Sequence, residues 1–394
     1  RLRKIKVDCM KTYGGFMPFE LSNGQEYYKY SEDHIQYYNS GKTAVYYCLM
    51  QMKPKRLFAP RYYCPSTKAA IEKAANEIGT KVIYYHVFRD LSVNLPRKAL
   101  CPSTGNTVAD TPKIAKDNES SQAQSSNEDH LNDNRTFSNF DLCYVRTSET
   151  LDFYHDQVGL TSEDAVLVVN YFGVCRSHVD KWLSLGVNLI IDNCQAFYSE
   201  PVMANNVLNF YSFKKDFGTP DGAFVIGSHV ENYHLEQEDG ISKCDYLLGS
   251  LVEGTDKWYK RKKEVDEEIA SDKLQASKMT RMMIRAIDYE DVKDRRVANF
   301  KLYEEAFGSA NLIKADNDSV PYLYPLNIGV DIRKRLIENK IFVPTLWADT
   351  LEDEFAGTDE YLLSKNTLFL PVDQRYDEED IKYIIDIVNR MAER

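Results

Sequence analysis

The chain contains no CxxC pair, no HExxH spacing and no run approaching the roughly 18 consecutive apolar residues that a helical membrane span needs. The first two absences leave zinc sites without recognisable ligands, so no metal centre is expected. The third excludes a helical membrane protein. Basic residues are in short supply: 49 Lys and Arg stand against 60 Asp and Glu, for a net charge of −11. That balance disfavours a nucleic-acid-binding surface and points to small molecules or proteins as partners. The eight cysteines (Cys9, Cys48, Cys64, Cys101, Cys143, Cys175, Cys194, Cys244) are irregularly spaced and follow no secretory leader. They read as reduced thiols in a cytoplasmic protein.

A further absence concerns NSGKT at 39–43, which opens like a nucleotide phosphate loop. Such a loop needs a glycine five positions before Gly41, and that position is Gln36. Nucleotide hydrolysis is therefore set aside, and the segment needs a different phosphate.

What is present is an alternating pattern. After NSGKT, Val45, Cys48, Leu49 and Met52 share one helical face, and RLFA at 56–59 reads as a short buried strand. A helix capped by Ser66 runs to Gly79, and KVIYYHV makes the next strand. The alternation resumes with AVLVVNYF (165–172), a helix over SHVDKWLSL, and the strands NLIID (188–192), VLNFYSF (207–213) and AFVIG (223–227). Strands this uniformly apolar are covered on both faces. The fold class expected is α/β, with a mostly parallel central sheet in a large domain.

At 394 residues the chain suits two domains. We divide it into an N-terminal segment (1–37) packing on the core, a large domain (38–235), and linker helices with a smaller C-terminal α+β domain (236–394). Strand-like pieces in the last part are PYLYPLNIG (321–329) and IFVPTLW (341–347), with helices over 331–339 and 377–394. Residues 102–140 are rich in Ser, Asn, Asp and Thr and nearly free of large apolar side chains. They are read as a disordered surface insertion.

Three stretches of the large domain combine into a chemical pattern. Asp192 follows the apolar run NLII, so it sits at the carboxyl end of a buried strand, where open α/β sheets bind ligands. A carboxylate there needs a cation, and the protonated ring nitrogen of pyridoxal 5′-phosphate is a suitable one. That cofactor also needs an amine whose pKa is lowered by partial burial near the cationic ring. Lys214 and Lys215 are the candidates, before the stiff turn at Gly218–Gly222. Its phosphate needs a helix N-terminus, which Ser40, Gly41, Lys42 and Thr43 supply, with Ser212 adding a hydroxyl. The backbone of Gly41 to Thr43 is expected to hold the anion, with Lys42 only an exposed helix-start residue.

Together these residues resemble the DegT/DnrJ/EryC1/StrS family of fold type I, pyridoxal-phosphate-dependent aminotransferases. SGKTA is similar to the family's helix start. DNCQA is similar to its Asp with Gln three residues on, which implies that Asp192 meets the ring nitrogen and Gln195 the ring hydroxyl side. Counting six residues back from Asp221-Gly222 makes Lys215 the Schiff-base lysine. APRYYCPST (59–67), VNYFGV (169–174), residues 287–303 and residues 368–381 extend the resemblance over nearly the whole chain outside 102–140. The segment that covers the cofactor ring leaves Tyr63 or Cys64 as its equivalent.

The resemblance implies amino transfer from a donor, glutamate, to a keto acceptor. The acceptor class it implies is a nucleotide-linked keto sugar in surface-polysaccharide or antibiotic-type sugar biosynthesis. It also implies a homodimer in which a partner Asn or Arg reaches the phosphate, although no such residue stands out in 245–280. Two departures are visible. SFKK is two residues shorter than the commoner form, and Ala223 stands where a second glycine is usual. The alternatives are a non-catalytic binding protein with the same fold, or a sugar dehydratase, in which the lysine is commonly replaced by histidine.

Overall fold

The computed structural model describes residues 19–93, 160–316, 319–329 and 331–392. The expected insertion at 102–140 and the first 18 residues of the N-terminal segment lie outside the described residues. Seven strands form the large sheet: β1 (Ile35–Tyr38), β2 (Arg56–Pro60), β3 (Lys81–Tyr85), β4 (Asp164–Val169), β5 (Asn188–Asp192), β6 (Val207–Ser212) and β7 (Ala223–Gly227). Their spatial order is β1-β7-β6-β5-β4-β2-β3. The five strands from β3 to β6 run parallel, while β7 is antiparallel to both β6 and β1. Every residue of β4, β6 and β7 is buried, as their unbroken apolar runs require of strands covered on both faces.

Register places the chemistry along one edge. Val169 lies opposite Asp192, and Asp192 opposite Phe210, so the carboxyl ends of β4, β5 and β6 finish together. One row further, Ser212 pairs with Ala223, and Ala223 with Tyr38. The loop joining β6 to β7 and the residues following β1 therefore emerge beside each other, one strand from Asp192.

Helix α1 (Gly41–Met52) packs its buried Ala44, Val45, Cys48 and Leu49 against β6, β7 and α2 (Pro65–Ile78). Helix α2 does not begin on Ser66 as expected. Pro65 occupies its first turn, where the missing N–H costs no hydrogen bond, and the chain enters through Cys64, which makes no side-chain cap. On the opposite face α3 (Arg176–Leu183) covers the sheet with Val179 and Trp182. Beyond β7 come α4 (Asp245–Glu253), α5 (Tyr259–Ser271), α6 (Lys278–Met283) and the long α7 (Tyr289–Phe307).

A second sheet of two antiparallel strands, β8 (Leu323–Asn327) and β9 (Thr367–Pro371), follows, with α8 (Arg333–Glu338), α9 (Asp359–Asn366) and α10 (Glu378–Ala392). Its core joins Tyr303 and Phe307 of α7 to Tyr324, Leu368, Ile381 and Ile384. IFVPTLW forms no strand. Pro344 offers no ladder donor and Trp347 takes a left-handed backbone (φ 53°), so 367–371 pairs with β8 instead. Among the described residues no helix is long and apolar enough to cross a membrane.

Candidate active site

Asp192 ends β5 and is 6% exposed. Its Oδ2 accepts a short hydrogen bond from the Tyr63 hydroxyl, and its Oδ1 accepts the Cys194 N–H at 2.7 Å. Burial pushes the carboxyl pKa up, while the Tyr63 bond, the Cys194 bonds and the nearby Lys215 charge oppose that rise. Tyr63 is itself 2% exposed, and burial together with the Asp192 charge holds its hydroxyl protonated, as a donor.

The two lysines of SFKK have separate environments. Lys214 Nζ lies 2.5 Å from Asp266 Oδ1 on α5, and burial lowers its pKa. Lys215 is exposed and, among the described residues, makes no hydrogen bond or ion pair. Its pKa is not lowered, as the sequence led us to expect, but raised. The neighbouring Tyr322 hydroxyl is the largest cause, burial acts the other way, and Cys64, Cys194 and Asp266 add to the rise.

The loop carrying them is tightly folded. Phe213 N–H bonds Gly222 O at 3.0 Å, Phe217 N–H bonds Phe213 O at 2.8 Å, and Asp221 holds Ser277, the N-cap of α6, by accepting from its N–H (2.9 Å) and Oγ (2.5 Å). Gly222 has φ 114°, and a Cβ there would lie 2.7 Å from Thr280 Cγ2 and 2.8 Å from Phe213 Cδ2. The positive φ belongs to this first glycine alone, and Ala223 is not among the positive-φ residues. The departure at 223 is therefore unstrained. Asp216 and Arg296, missed in the sequence, brace the loop from below. Arg296 Nη1 is 3.4 Å from Asp216 Oδ1, and its Nη2 donates to Asp216 O at 3.2 Å. Burial raises Asp216 to about 6, with Arg296 opposing. Only the packing of α7 against the loop reveals this pair.

Ser40 caps α1, its Oγ accepting from Thr43 N–H at 3.2 Å, and Thr43 Oγ1 donates to Asn39 Oδ1 at 2.7 Å. Asn39 O accepts Gly222 N–H at 2.7 Å, which fastens the helix start to the lysine loop. A Cβ on Gly41 would approach Cys194 Sγ to 3.1 Å, so the glycine lets the helix start pack closely on Cys194. Lys42 is not an exposed helix-start residue. It is half-buried, burial lowers its pKa, and Cys64 and Asp266 act on it from nearby.

Tyr63 and Cys64 divide between two places: Tyr63 against Asp192, and Cys64 at the start of α2, its Sγ 3.2 Å from Ser66 Oγ. Burial alone would raise the Cys64 thiol, but bonds from Ser66 and Thr67 and the Lys215 charge bring it below its ordinary value. Gln195 is buried, with Oε1 accepting Phe172 N–H at 3.4 Å, and Ser212 closes β6 at 8% exposure. One neighbourhood thus holds Asp192, Tyr63, Cys64, Cys194, Lys215, Lys42 and Asp266. A polar cleft of about 780 Å³, lined by Glu26, Tyr37, Arg281 and Arg285 along β1, is separate from these residues. Among the described residues no group of His, Cys, Asp and Glu is placed to hold a metal.

A seven-stranded, mostly parallel sheet with one antiparallel strand beside the lysine loop and a smaller sheet after it defines the fold type I transferase architecture. The chain is similar over most of its length to solved aminotransferases. It matches DesV of S. venezuelae, solved with a ketimine intermediate, at 15% identity and TM-score 0.53, covering 92% of this chain and 85% of that one. It matches a DegT DnrJ EryC1 StrS aminotransferase from Brucella abortus at 14% identity and TM-score 0.50, covering 91% and 86%. It matches Spr1654 of Streptococcus pneumoniae, assigned as a sugar aminotransferase and solved in its PMP form, at 13% identity and TM-score 0.51, covering 91% and 88%. No family model matches the chain, and no curated protein matches its sequence. The likeness is one of fold, and it agrees with the architecture expected from the motifs.

Proposed function

We propose that this chain is a pyridoxal-phosphate-dependent aminotransferase of the DegT/DnrJ/EryC1/StrS kind. The observation that carries the reading is Lys215, an amine without hydrogen bond or ion pair among the described residues, in electrostatic reach of a buried strand-end carboxylate, Asp192. The donor set fits the cofactor. Asp192 keeps lone pairs beyond the two bonds it accepts, and the α1 N-terminus offers free N–H groups to an anion.

Bound there, pyridoxal phosphate supplies an electron sink for a carbanion at the substrate carbon. Asp192 holds the ring nitrogen protonated, and Tyr63 and the Cys194 N–H keep Asp192 oriented and ionised. Lys215 Nζ anchors the cofactor and, once released, takes a proton from the donor carbon and returns it to the acceptor. Ser40, Gly41, Lys42, Thr43 and Ser212 would hold the phosphate, Gln195 would meet the ring hydroxyl side, and Tyr63 and Cys64 would supply the remaining wall. The donor is an amino acid such as glutamate, and the acceptor a nucleotide-linked keto sugar; Spr1654 is itself described as a sugar aminotransferase. Residues 38–235 form the cofactor domain and 236–394 the linker helices and small domain, in a cytoplasmic homodimer.

An absorption spectrum with pyridoxal phosphate, before and after borohydride, tests this. A long-wavelength band abolished by reduction, with the pyridoxyl mass on Lys215, is expected. A protein with no such band, or an adduct on Lys214, overturns the assignment.

A further inference from the structure

We propose that Tyr322 is the positioning residue for Lys215, its hydroxyl holding the amine by a hydrogen bond whenever Lys215 is free of the cofactor. The inference rests on the cofactor reading above and adds what keeps the released amine beside the donor carbon.

The backbone around Tyr322 is fixed from several sides. The turn after β4 carries two successive left-handed residues, Phe172 (φ 56°) and Gly173 (φ 73°). That backbone is uncommon for a bulky side chain, and here the Phe172 carbonyl accepts the Tyr322 N–H at 2.8 Å. A Cβ on Gly173 would lie 2.6 Å from Val320 O, so the glycine is what admits the 320–322 segment. Arg296, 1% exposed, donates through Nη1 to Pro321 O (3.2 Å) and Tyr322 O (3.3 Å). Its Nη2 donates to Asp216 O, the carbonyl next to Lys215, so one guanidinium fastens the backbone of residue 322 to that of residue 216. Gln374 repeats the tie: its Nε2 donates to Asp216 O at 2.9 Å, and its Oε1 accepts from Arg296 Nε at 3.1 Å.

Lys215 is thus a flexible side chain beside a phenol on a clamped backbone. Of the groups that act on its amine, the Tyr322 hydroxyl acts most strongly. Cys64 at the start of α2, Cys194 after β5 and Asp266 on α5 also favour the ammonium, and Lys215 in turn acts on Asp192 and Asp216. Arg375, held by Asp373 at 2.7 and 2.9 Å, acts on the same phenol. A phenol oxygen accepts from an ammonium, and a phenol O–H donates to a neutral amine, so one group can partner Lys215 in both states. The four-carbon stem lets Nζ swing between Tyr322 and the cofactor without moving the backbone. The proton lost by the donor carbon is gained by Nζ, and Tyr322 turns from donor to acceptor.

The test is competitive acetylation of the cofactor-free protein with acetic anhydride across pH, in wild type and Tyr322→Phe, with Lys214 and Lys215 read separately by tandem mass spectrometry. The variant keeps the ring and its packing. The Lys215 midpoint is expected to fall in the variant, while that of Lys214, whose charged neighbours are Asp266, Lys262 and Asp221, stays in place. In the holoenzyme, single-turnover conversion of the bound cofactor by saturating glutamate is expected to slow roughly tenfold, for one charged hydrogen bond, with the half-saturating glutamate concentration unchanged. An unmoved Lys215 midpoint overturns the inference. A parallel fall for Lys214 does the same, since it marks a loosened loop, and so does weaker half-saturation at an unchanged rate, which puts Tyr322 on the donor. If the Lys215 midpoint falls but wild type gives no borohydride adduct, the aminotransferase reading fails and the pairing stands; an adduct with an unmoved midpoint keeps the reading and removes the pairing.

Discussion

The Tyr63 hydroxyl donates to Asp192 Oδ2 in the buried edge where β5 ends, and it is the side-chain bond that most opposes the upward pull of burial on that carboxyl. Removing the hydroxyl by Tyr63→Phe raises the Asp192 pKa further. The variant is expected to lose about tenfold in kcat at neutral pH, from one lost charged hydrogen bond, and to recover part of it as pH rises. A pH profile parallel to wild type would show that Tyr63 does not control Asp192.

The unequal surroundings of the two lysines separate their variants. Lys215→Ala abolishes covalent attachment of the cofactor, while Lys214→Ala retains it. Because Tyr322 and its neighbours raise the Lys215 pKa, the attachment rate in wild type should climb with pH through the alkaline range, as the amine loses its proton. Stopped-flow absorbance with pyridoxal phosphate reads both effects.

Asp216 has a folded pKa of about 6 against an ordinary value of 3.8. The folded state therefore binds more protons than the unfolded state between these values, and this group's contribution to stability falls as pH rises from 3.8 to 6. Asp216→Asn removes that slope, even though leaving Arg296 without its carboxylate lowers overall stability by a few kcal/mol, on the order of 3–5. Urea midpoints across this pH window report both changes.

Gly222→Ala forces a side chain into φ 114° and against Thr280 and Phe213. A loss of at least about 1–3 kcal/mol in unfolding free energy is expected, with a displaced lysine loop and slower cofactor attachment. Ala223→Gly, one residue on, creates no clash and should cost only about 0.5–1 kcal/mol, from the buried methyl and the freer strand backbone.

Lys42→Ala follows from burial that the sequence did not display. Placed on an exposed first turn it would cost little; half-buried near Asp266 and Cys64, it is expected to weaken pyridoxal phosphate by roughly three- to tenfold. Titration of cofactor absorbance distinguishes the two.

The strands of the large sheet were legible because burial on both faces writes itself as unbroken apolar runs: NLIID and AFVIG coincide with β5 and β7. Motif order brought Asp192, Lys215 and the α1 start to one edge, since strand ends and helix starts follow from local chemistry. Long-range charge did not. Nothing in KRKKEVDEE distinguishes Asp266 and Lys262 from a solvated helix face, and Arg296 looks like any basic residue of a long helix until α7 meets the lysine loop. IFVPTLW misled because β-rich composition cannot show which partner strand wins the ladder.

Asn39 ties residues 222, 238, 269 and 272 to the start of α1 through its main-chain oxygen and one side-chain nitrogen. This has a consequence for biosynthesis. A nascent chain that has emerged through β7 carries every strand of the large sheet, Asp192 and Lys215, but its α1 start lacks the Asn39 bonds to Ile269 and Asp272 until α5 leaves the ribosome. Cofactor capture is therefore timed by the later, charged helices. A stalled chain with residues only to about 245 outside the ribosome should hold no pyridoxal phosphate, and one with residues past 275 outside it should begin to retain it.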